Sequence, residues 1–337
     1  VTTTVLPYVH RITKYDPADR DPRSGGYHGP QDSDSDHGPL EAAYLQAVAW
    51  LAEEAGVRRL AVREPSAGPT HGLTECHDGV EVSVEAALRL IRGMLRGDGM
   101  WCRLEAAERF AVHIGWDQYM YVGSAEPCPH ALTRIRAGGL FAERIDASPY
   151  DFDEGRNDDD FFDADGHPVP QRPADEAFWS ELHRRTESAG PLLLEETHLH
   201  NASRWHAVTS RTLNGIRREL APRAMVAVWP NLLTPDIGAV LAEIPEEYTV
   251  EVLRMEASGG ITVSDADEAD PGIDGLRVLL KGARAAAVLP IALDEGPRPL
   301  FTGVLPDADG VLRARWRTRP TAEDIRWAGL SVPPEVE

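Results

Sequence analysis

Lysine is nearly missing from this chain: among its 34 basic residues only Lys14 and Lys281 are lysines, and the rest are arginines. With abundant Ala, Gly, Pro and Asp, that bias marks a GC-rich genome before any functional use of arginine. Positive charge is scarce altogether, since 55 acidic residues leave a formal net charge of -21. A surface this acidic repels phosphate backbones at long range, which disfavours nonspecific nucleic-acid binding through counterion release. It leaves room for a local basic patch, and it suits docking to a basic protein partner through long-range steering. Cysteine is scarce too. Cys76, Cys102 and Cys128 are scattered and odd in number, which excludes a disulfide framework and indicates reduced thiols in a cytoplasmic protein. No apolar run approaches the ~20 residues of a membrane helix, "GARAAAVLPIAL" being among the longest. The opening "VTTTVLPYVHRITK" has no basic segment ahead of a hydrophobic one, so neither a secretory signal nor a membrane partner is expected.

Familiar motifs are missing as well. There is no GxxxxGK[ST], and Lys281 in "LLKGAR" lacks the glycine spacing that aims backbone N–H groups at phosphates. No GxGxxG follows a strand, and no GxSxG nucleophile elbow occurs. These absences count against NTPases, dinucleotide enzymes and α/β-hydrolases, and no cofactor is expected. For calcium, a loop opening at Asp151 needs an acid where Phe162 stands, and one opening at Asp163 needs it at Ala174. For zinc, His71, Cys76 and His77 cluster in "THGLTECHDG" without a fourth ligand. No metal site is expected.

What is present reads as α+β: two mixed α/β domains with largely antiparallel sheets, joined by an acidic linker. Residues 1–150 form the first domain in the order β-α-β-α-β-β-β-α-β. In it "VRRLAVRE" alternates Leu60 and Val62 against Arg59 and Arg63, and Ser83 caps a helix lined by Leu88, Ile91 and Leu95. Phe110, Val112 and Ile114 share one strand face, with Ala111 and His113 opposite; Tyr119 and Tyr121 share another face. Residues 151–172 hold the acid-rich linker or hairpin, opening "DFDEGRNDDDFFDAD". Residues 173–337 form the second domain, with helices expected over Pro173–Glu187, Pro191–His206 and Arg211–Leu220, then alternating strands and helices. The stretch "LLLEETHLHNASRWH" reads as a polar helix surface anchored by Trp205, with Glu196 and His200 on one face. If extended, it would instead place His198 and His200 together.

The segment "RITKYDPADRDPRSGGYHGPQDSDSDHG" is longer than compact domains usually tolerate between elements without a purpose. Arg11, Lys14, Arg20 and Arg23 interleave there with Tyr15, Tyr27 and His28. Farther on, "HIGWDQYMYVGS" adds Trp116 and the Tyr119/Tyr121 face, able to stack flat rings. The stretches "YVHRITKYDPADRD", "HGPLEAAYLQAV", "GWDQYMYVGS", "GLFAERIDASPYDF", "NASRWH" and "LPDADGVLRARW" resemble a group of Streptomyces-type actinobacterial proteins catalogued as "RNA-binding protein". The resemblance runs through most of the chain and implies RNA as a partner, although no RNP1-like or GXXG signature accompanies it. On that reading Arg11, Lys14, Arg20 and Arg23 contact phosphate, while Tyr15, Tyr27 and Trp116 stack beside Tyr119 and Tyr121. Two alternatives stand beside it. One is an acidic interaction protein or inhibitor that docks on a basic partner. The other is an enzyme drawing acid–base groups from His10, Lys14, Tyr15, Asp16 and His28.

Overall fold

The structure is a computed structural model, and it describes residues 2–3, 6–21, 23, 37–66, 77–115, 119–148, 151–152, 171–198, 202–242, 244, 249–267, 272–290 and 297–313. The chain has an α+β fold with largely antiparallel sheets and divides into two compact units. Among the described residues, one lies within Thr4–Asp151 and the other combines Thr2–Thr3 with the chain from Phe152 to Arg313. Among the described residues no helix is long and apolar enough to cross a membrane.

Strand β1 (Thr2–Thr3) belongs to the second unit. The first unit runs β2 (Tyr8–Thr13), α1 (His37–Glu54), β3 (Arg59–Arg63), β4 (Glu81–Ser83), α2 (Val84–Arg96), β5 (Arg103–Ala106), β6 (Phe110–Ile114), β7 (Met120–Ser124), α3 (Pro129–Ala137) and β8 (Phe141–Ile145). Its sheet has seven strands in the order β4-β3-β5-β6-β7-β2-β8, and every neighbouring pair is antiparallel. The helices begin and end where local chemistry favours it. Ser83 accepts a hydrogen bond from the Ala86 N–H at 3.2 Å, and Gly97 closes α2 in the left-handed conformation at φ 67°. Glu54, at the end of α1, accepts from the His130 and Ala131 N–H groups at 3.2 and 2.6 Å and so caps α3 from outside. Strand alternation places Leu60, Val62, Leu104, Val112, Met120 and Ile12 on one face, buried with Leu51, Leu90, Ile91 and Ile135 of the helices. The opposite face mixes charged residues such as Arg11 and Arg103 with Val9, Ala111 and Gly123.

The second unit contains α4 (Glu176–Ala189), β9 (Leu192–His198), β10 (Ala202–Val208), α5 (Leu213–Glu219), β11 (Met225–Trp229), α6 (Ile237–Ala242), β12 (Thr249–Met255), β13 (Ile261–Asp267), α7 (Gly272–Leu279), β14 (Ala285–Pro290), β15 (Phe301–Val304) and β16 (Val311–Leu312). It is layered. Phe178, Leu182 and Leu213 of α4 and α5 pack with Val226 and Leu194 on one face of the sheet β10-β9-β11-β15. The other face, with Leu193, Trp205 and Trp229, packs on Leu253 and Leu289 of the sheet β13-β12-β14. Val240 and Leu276 of α6 and α7 cover that sheet's far side through Val252. Strand β1 pairs in parallel with β16.

The expected helix over Pro191–His206 is a β-hairpin instead, in which Glu196 pairs with Arg204 and Leu194 with His206. The reason is burial on both faces. Leu192 and Leu194 face the helices, Leu193 faces the second sheet, and the resulting apolar run carries no period-2 signature to separate it from a buried helix. His200 and the "FFDADGHPVP" hairpin lie outside the described residues, as does most of the 151–172 linker.

The hairpin buries a carboxylate. Glu196 is 0% exposed and accepts from Arg204 at 2.9 and 3.0 Å, from His206 Nε2 at 3.1 Å and from the Ala221 N–H at 2.8 Å. Burial alone would raise its pKa, but the hydrogen bonds from His206, Arg204 and Ala221 outweigh it and hold the carboxyl at about 2. A carboxylate held below its ordinary value stabilises the fold fully above about pH 4.5, and that stabilisation disappears as pH falls toward 2. At roughly 1.4 kcal/mol per tenfold change in proton affinity it contributes about 3 kcal/mol near neutrality. Glu196→Gln is therefore expected to cost about 3 kcal/mol at pH 7 in urea denaturation. The variant should also lack the part of the acid-induced stability loss that the native chain shows below pH 4.5.

Candidate functional site

The mixed face of the seven-stranded sheet gathers ionisable side chains into one row. Arg11 on β2 sits opposite Glu143 on β8 and Tyr121 on β7; Tyr121 in turn sits opposite His113 on β6. One step along from the Leu104–Val112 pair, Arg103 of β5 faces His113, and Arg103 is the register partner of Arg63 on β3. Glu143, Arg11, Tyr121, His113, Arg103 and Arg63 thus cross the sheet side by side.

Two arginines directly opposite each other on paired strands repel. Here carboxylates separate them: Asp78 lies 3.5 Å from Arg63, Glu105 lies 3.9 Å from Arg63 and 3.8 Å from Arg103, and Glu64 lies 3.7 Å from Arg103. Asp78 also accepts from the Glu64 N–H at 2.9 Å, which holds Glu64 in a left-handed conformation at φ 48°. At the other end Arg11, only 7% exposed, donates twice to Glu143 Oε2, at 2.5 and 3.2 Å.

Beside the row, strand positions Ala111 and Gly123 are small and leave a pocket of about 30 Å³, closed by Leu6 and reached by Asp151 and Ser148. A Cβ on Gly123 would stand 2.8 Å from Leu6 Cδ1, so that position requires glycine or a displaced Leu6. Burial, with help from the positive charge of Arg103, keeps His113 neutral by holding its pKa well below the ordinary histidine value. Burial pushes the Asp151 carboxyl up, with Glu105 adding to the shift and the Ser148 N–H and Arg103 opposing it. Shifted titratable groups around a pocket mark this row as a candidate site, and the pocket admits little more than water-sized groups.

A second cluster lies at the corner where β2 ends and β7 begins. Tyr15 and Tyr119 meet edge to face with ring centroids 6.3 Å apart. The Lys14 ammonium stands 5.0 Å from the Tyr15 centroid, and the Arg11 guanidinium 5.9 Å from that of Tyr119. Thr13 Oγ1 accepts from the Tyr15 N–H at 3.2 Å and donates to the Tyr15 carbonyl at 2.9 Å, which turns the chain out of the strand. Asp16 caps a short 3-10 turn by accepting from the Ala18 N–H at 2.9 Å, and Asp21 accepts from the Arg23 N–H at 2.7 Å. The first part of the long segment is therefore a built turn.

Of the residues singled out in the sequence, Arg11, Lys14, Tyr15 and Tyr119 come together. Tyr121, 8% exposed, lines the pocket beside the row. Arg20 and Arg23 are exposed on the turn, while Tyr27, His28 and Trp116 lie outside the described residues. His10 is opposite Val122, on the helix side of the sheet, away from Arg11. Burial, then Arg144 and Arg136, lower its pKa to about 4. Asp16 is engaged as a cap, so the acid–base set drawn from this segment is not assembled among the described residues. Arg63, Arg103, Glu105 and Asp151 were not singled out. For Arg63, Arg103 and Glu105 the signal was charge at the polar positions of alternating strands, but only strand register reveals the row; Asp151 follows β8 and carried no such signal.

Among the described residues no group of three or more His, Cys, Asp or Glu side chains could hold a metal ion. Comparison of the chain with protein-family models, with curated proteins and with solved structures finds no match.

The row generates a stability prediction. Glu105→Gln leaves Arg63 and Arg103 facing each other with weaker compensation, and is expected to cost about 2–4 kcal/mol in urea denaturation. Adding Arg103→Gln should recover part of that loss, a positive coupling that a double-mutant cycle measures directly.

Proposed function

We propose that the chain binds single-stranded RNA at the Lys14–Tyr15–Tyr119 corner, in the cytoplasm. The observation that carries this reading is the edge-to-face tyrosine pair with a cation set against each ring. Bases stack on tyrosine faces with little regard to sequence, and such contacts do not depend on a basic surface. Phosphate contacts come from Lys14 and from Arg20 and Arg23 on the following turn. Arg11 is engaged by Glu143 and positions Tyr119. Tyr121 supports the corner from within the sheet.

The consequence is weak salt dependence. With three cations in reach, the logarithm of the binding constant should fall with the logarithm of salt at a slope no steeper than about -2. The surplus negative charge flattens it further, because salt also screens the repulsion. Fluorescence anisotropy with a labelled single-stranded RNA tests this. Tyr15→Ala and Tyr119→Ala are each expected to weaken binding by about 5- to 150-fold, the loss of one stacked base. Binding indifferent to both substitutions, or absent at low salt, overturns the proposal.

One observation favours a second reading, docking to a basic protein. Surface arginines are tied to the chain's own carboxylates: Arg59 to Glu81, Arg92 and Arg96 to Glu41, Arg277 to Asp274. The net charge of -21 that remains suits a cationic surface. Saturable, salt-sensitive binding of poly-L-lysine with no RNA binding would favour this alternative.

A further inference from the structure

In the second unit, a groove of about 320 Å³ is lined by Glu176, Trp179, Ser180 and His183 of α4 and by Leu213, Asn214 and Arg217 of α5. The volume is at the lower end of the ~300–1,000 Å³ typical of small-molecule sites. The groove is separate from the RNA corner and does not depend on that reading.

The helix period explains the groove's lining. Positions 176, 179, 180 and 183 fall on one stripe of α4, and 213, 214 and 217 on one stripe of α5. The floor is apolar but narrow: Trp179 and Leu213 belong to the core beneath the helices and show the groove only an edge, at 5% and 3% exposure. The indole N–H is already donated to the Ala174 carbonyl at 2.9 Å, so the floor offers carbon surface rather than a donor. At one end Arg217 holds Glu176 in a two-pronged pair, with Nη2 on Oε1 at 2.5 Å and Nη1 on Oε2 at 3.2 Å. This pair is wet: the Glu176 side chain is 80% exposed and that of Arg217 37%.

The ligand class follows from charge. An anion meets the repulsion of a chain carrying -21. A cation meets Arg217, whose guanidinium already stands over the Trp179 ring at 5.4 Å and takes the place a ligand cation would occupy. A zwitterion has no net charge to be repelled. Glu176 retains a second lone pair on each oxygen, and Arg217 uses two of its five N–H donors in the pair. An ammonium on Glu176 and a carboxylate on Arg217, joined through one carbon, would close a ring of alternating charges.

We propose that this groove binds a free α-amino acid, its ammonium on Glu176, its carboxylate on Arg217 and an aliphatic side chain beside the Arg217 guanidinium, against the exposed edges of Trp179 and Leu213. The rim groups Ser180, His183 and Asn214 border the outer end of that side chain. Since both charged contacts are partly exposed, the affinity is modest, with a dissociation constant on the order of 1 mM.

Saturation-transfer NMR on the full chain, titrated with L-leucine, 3-methylbutylamine and 4-methylpentanoate, is the test. The amine lacks the carboxylate and the acid lacks the ammonium. L-leucine should bind at least about tenfold more tightly than either, and Glu176→Gln and Arg217→Gln should each weaken it at least about fivefold. Asp274→Asn, an exposed charge change on α7, should leave it unaffected. Circular dichroism checks that each variant is folded, which the exposure of both side chains favours. Three results overturn the proposal: no L-leucine signal up to about 20 mM, equal binding of the amine or the acid, or retention of binding by both groove variants.

Discussion

Strand pairing sets Arg63 opposite Arg103, and Glu105 stands between them. The architecture of the first unit depends on that arrangement. The helices cover one face of its sheet, so the apolar half of every strand is committed to them and the polar half must find partners among itself. Charges half removed from water are tolerable only when paired, and pairing across a sheet requires partners on neighbouring strands at the same level. Arginine suits this better than lysine, because one guanidinium can serve two carboxylates in different directions. Arg63 lies between Asp78 and Glu105, and Arg103 between Glu105 and Glu64. A chain almost without lysine is well supplied for such a network, whatever produced the bias.

The second unit uses the same chemistry in reverse. There one carboxylate, Glu196, gathers donors from a paired strand and from the turn that leads out of α5. It ties β9 to β10 and to the turn that follows α5. Glu195, its neighbour, points to the other side of the sheet and accepts from Trp229 Nε1 at 3.0 Å in the seam between the two sheets. Adjacent glutamates thus stabilise different layers. Composition counts both as surface acids; the strand's alternation sends each inward.

The α+β class and most of the first unit's elements were legible because its strands alternate apolar and polar residues; the three-residue edge strand β4 was too short to show a pattern and was missed. Val62 beside Arg63, Leu104 beside Arg103 and Val112 beside His113 alternate as a one-sided sheet requires. The hairpin at Leu192–Val208 was misread as a helix for the opposite reason: it is covered on both faces, and three consecutive leucines carry no period. Of the candidate corner, Lys14, Tyr15 and Tyr119 could be read from residue type and loop length. The row could not. Its members are far apart in sequence, from Arg11 to Glu143, and only the order β3-β5-β6-β7-β2-β8 brings them level. Residue type suggests what a side chain can do, whereas register determines what it does it with.

Charge sets a further limit on both proposed sites. When a chain of net charge -21 ties surface arginines such as Arg59, Arg92, Arg96 and Arg277 to its own acids, affinity for a polyanion gains little from counterion release and has to come from contacts that ignore net charge. Stacking on Tyr15 and Tyr119 is one such contact. Closing a charge ring around Glu176 and Arg217 is another, because a zwitterion brings as much positive charge as negative. Both are short-range and neither gains from long-range steering, so both should associate without electrostatic acceleration. The surplus acids then serve as a filter: they raise the cost of approach for bulk nucleic acid and free anions, and leave near contacts to select among what arrives.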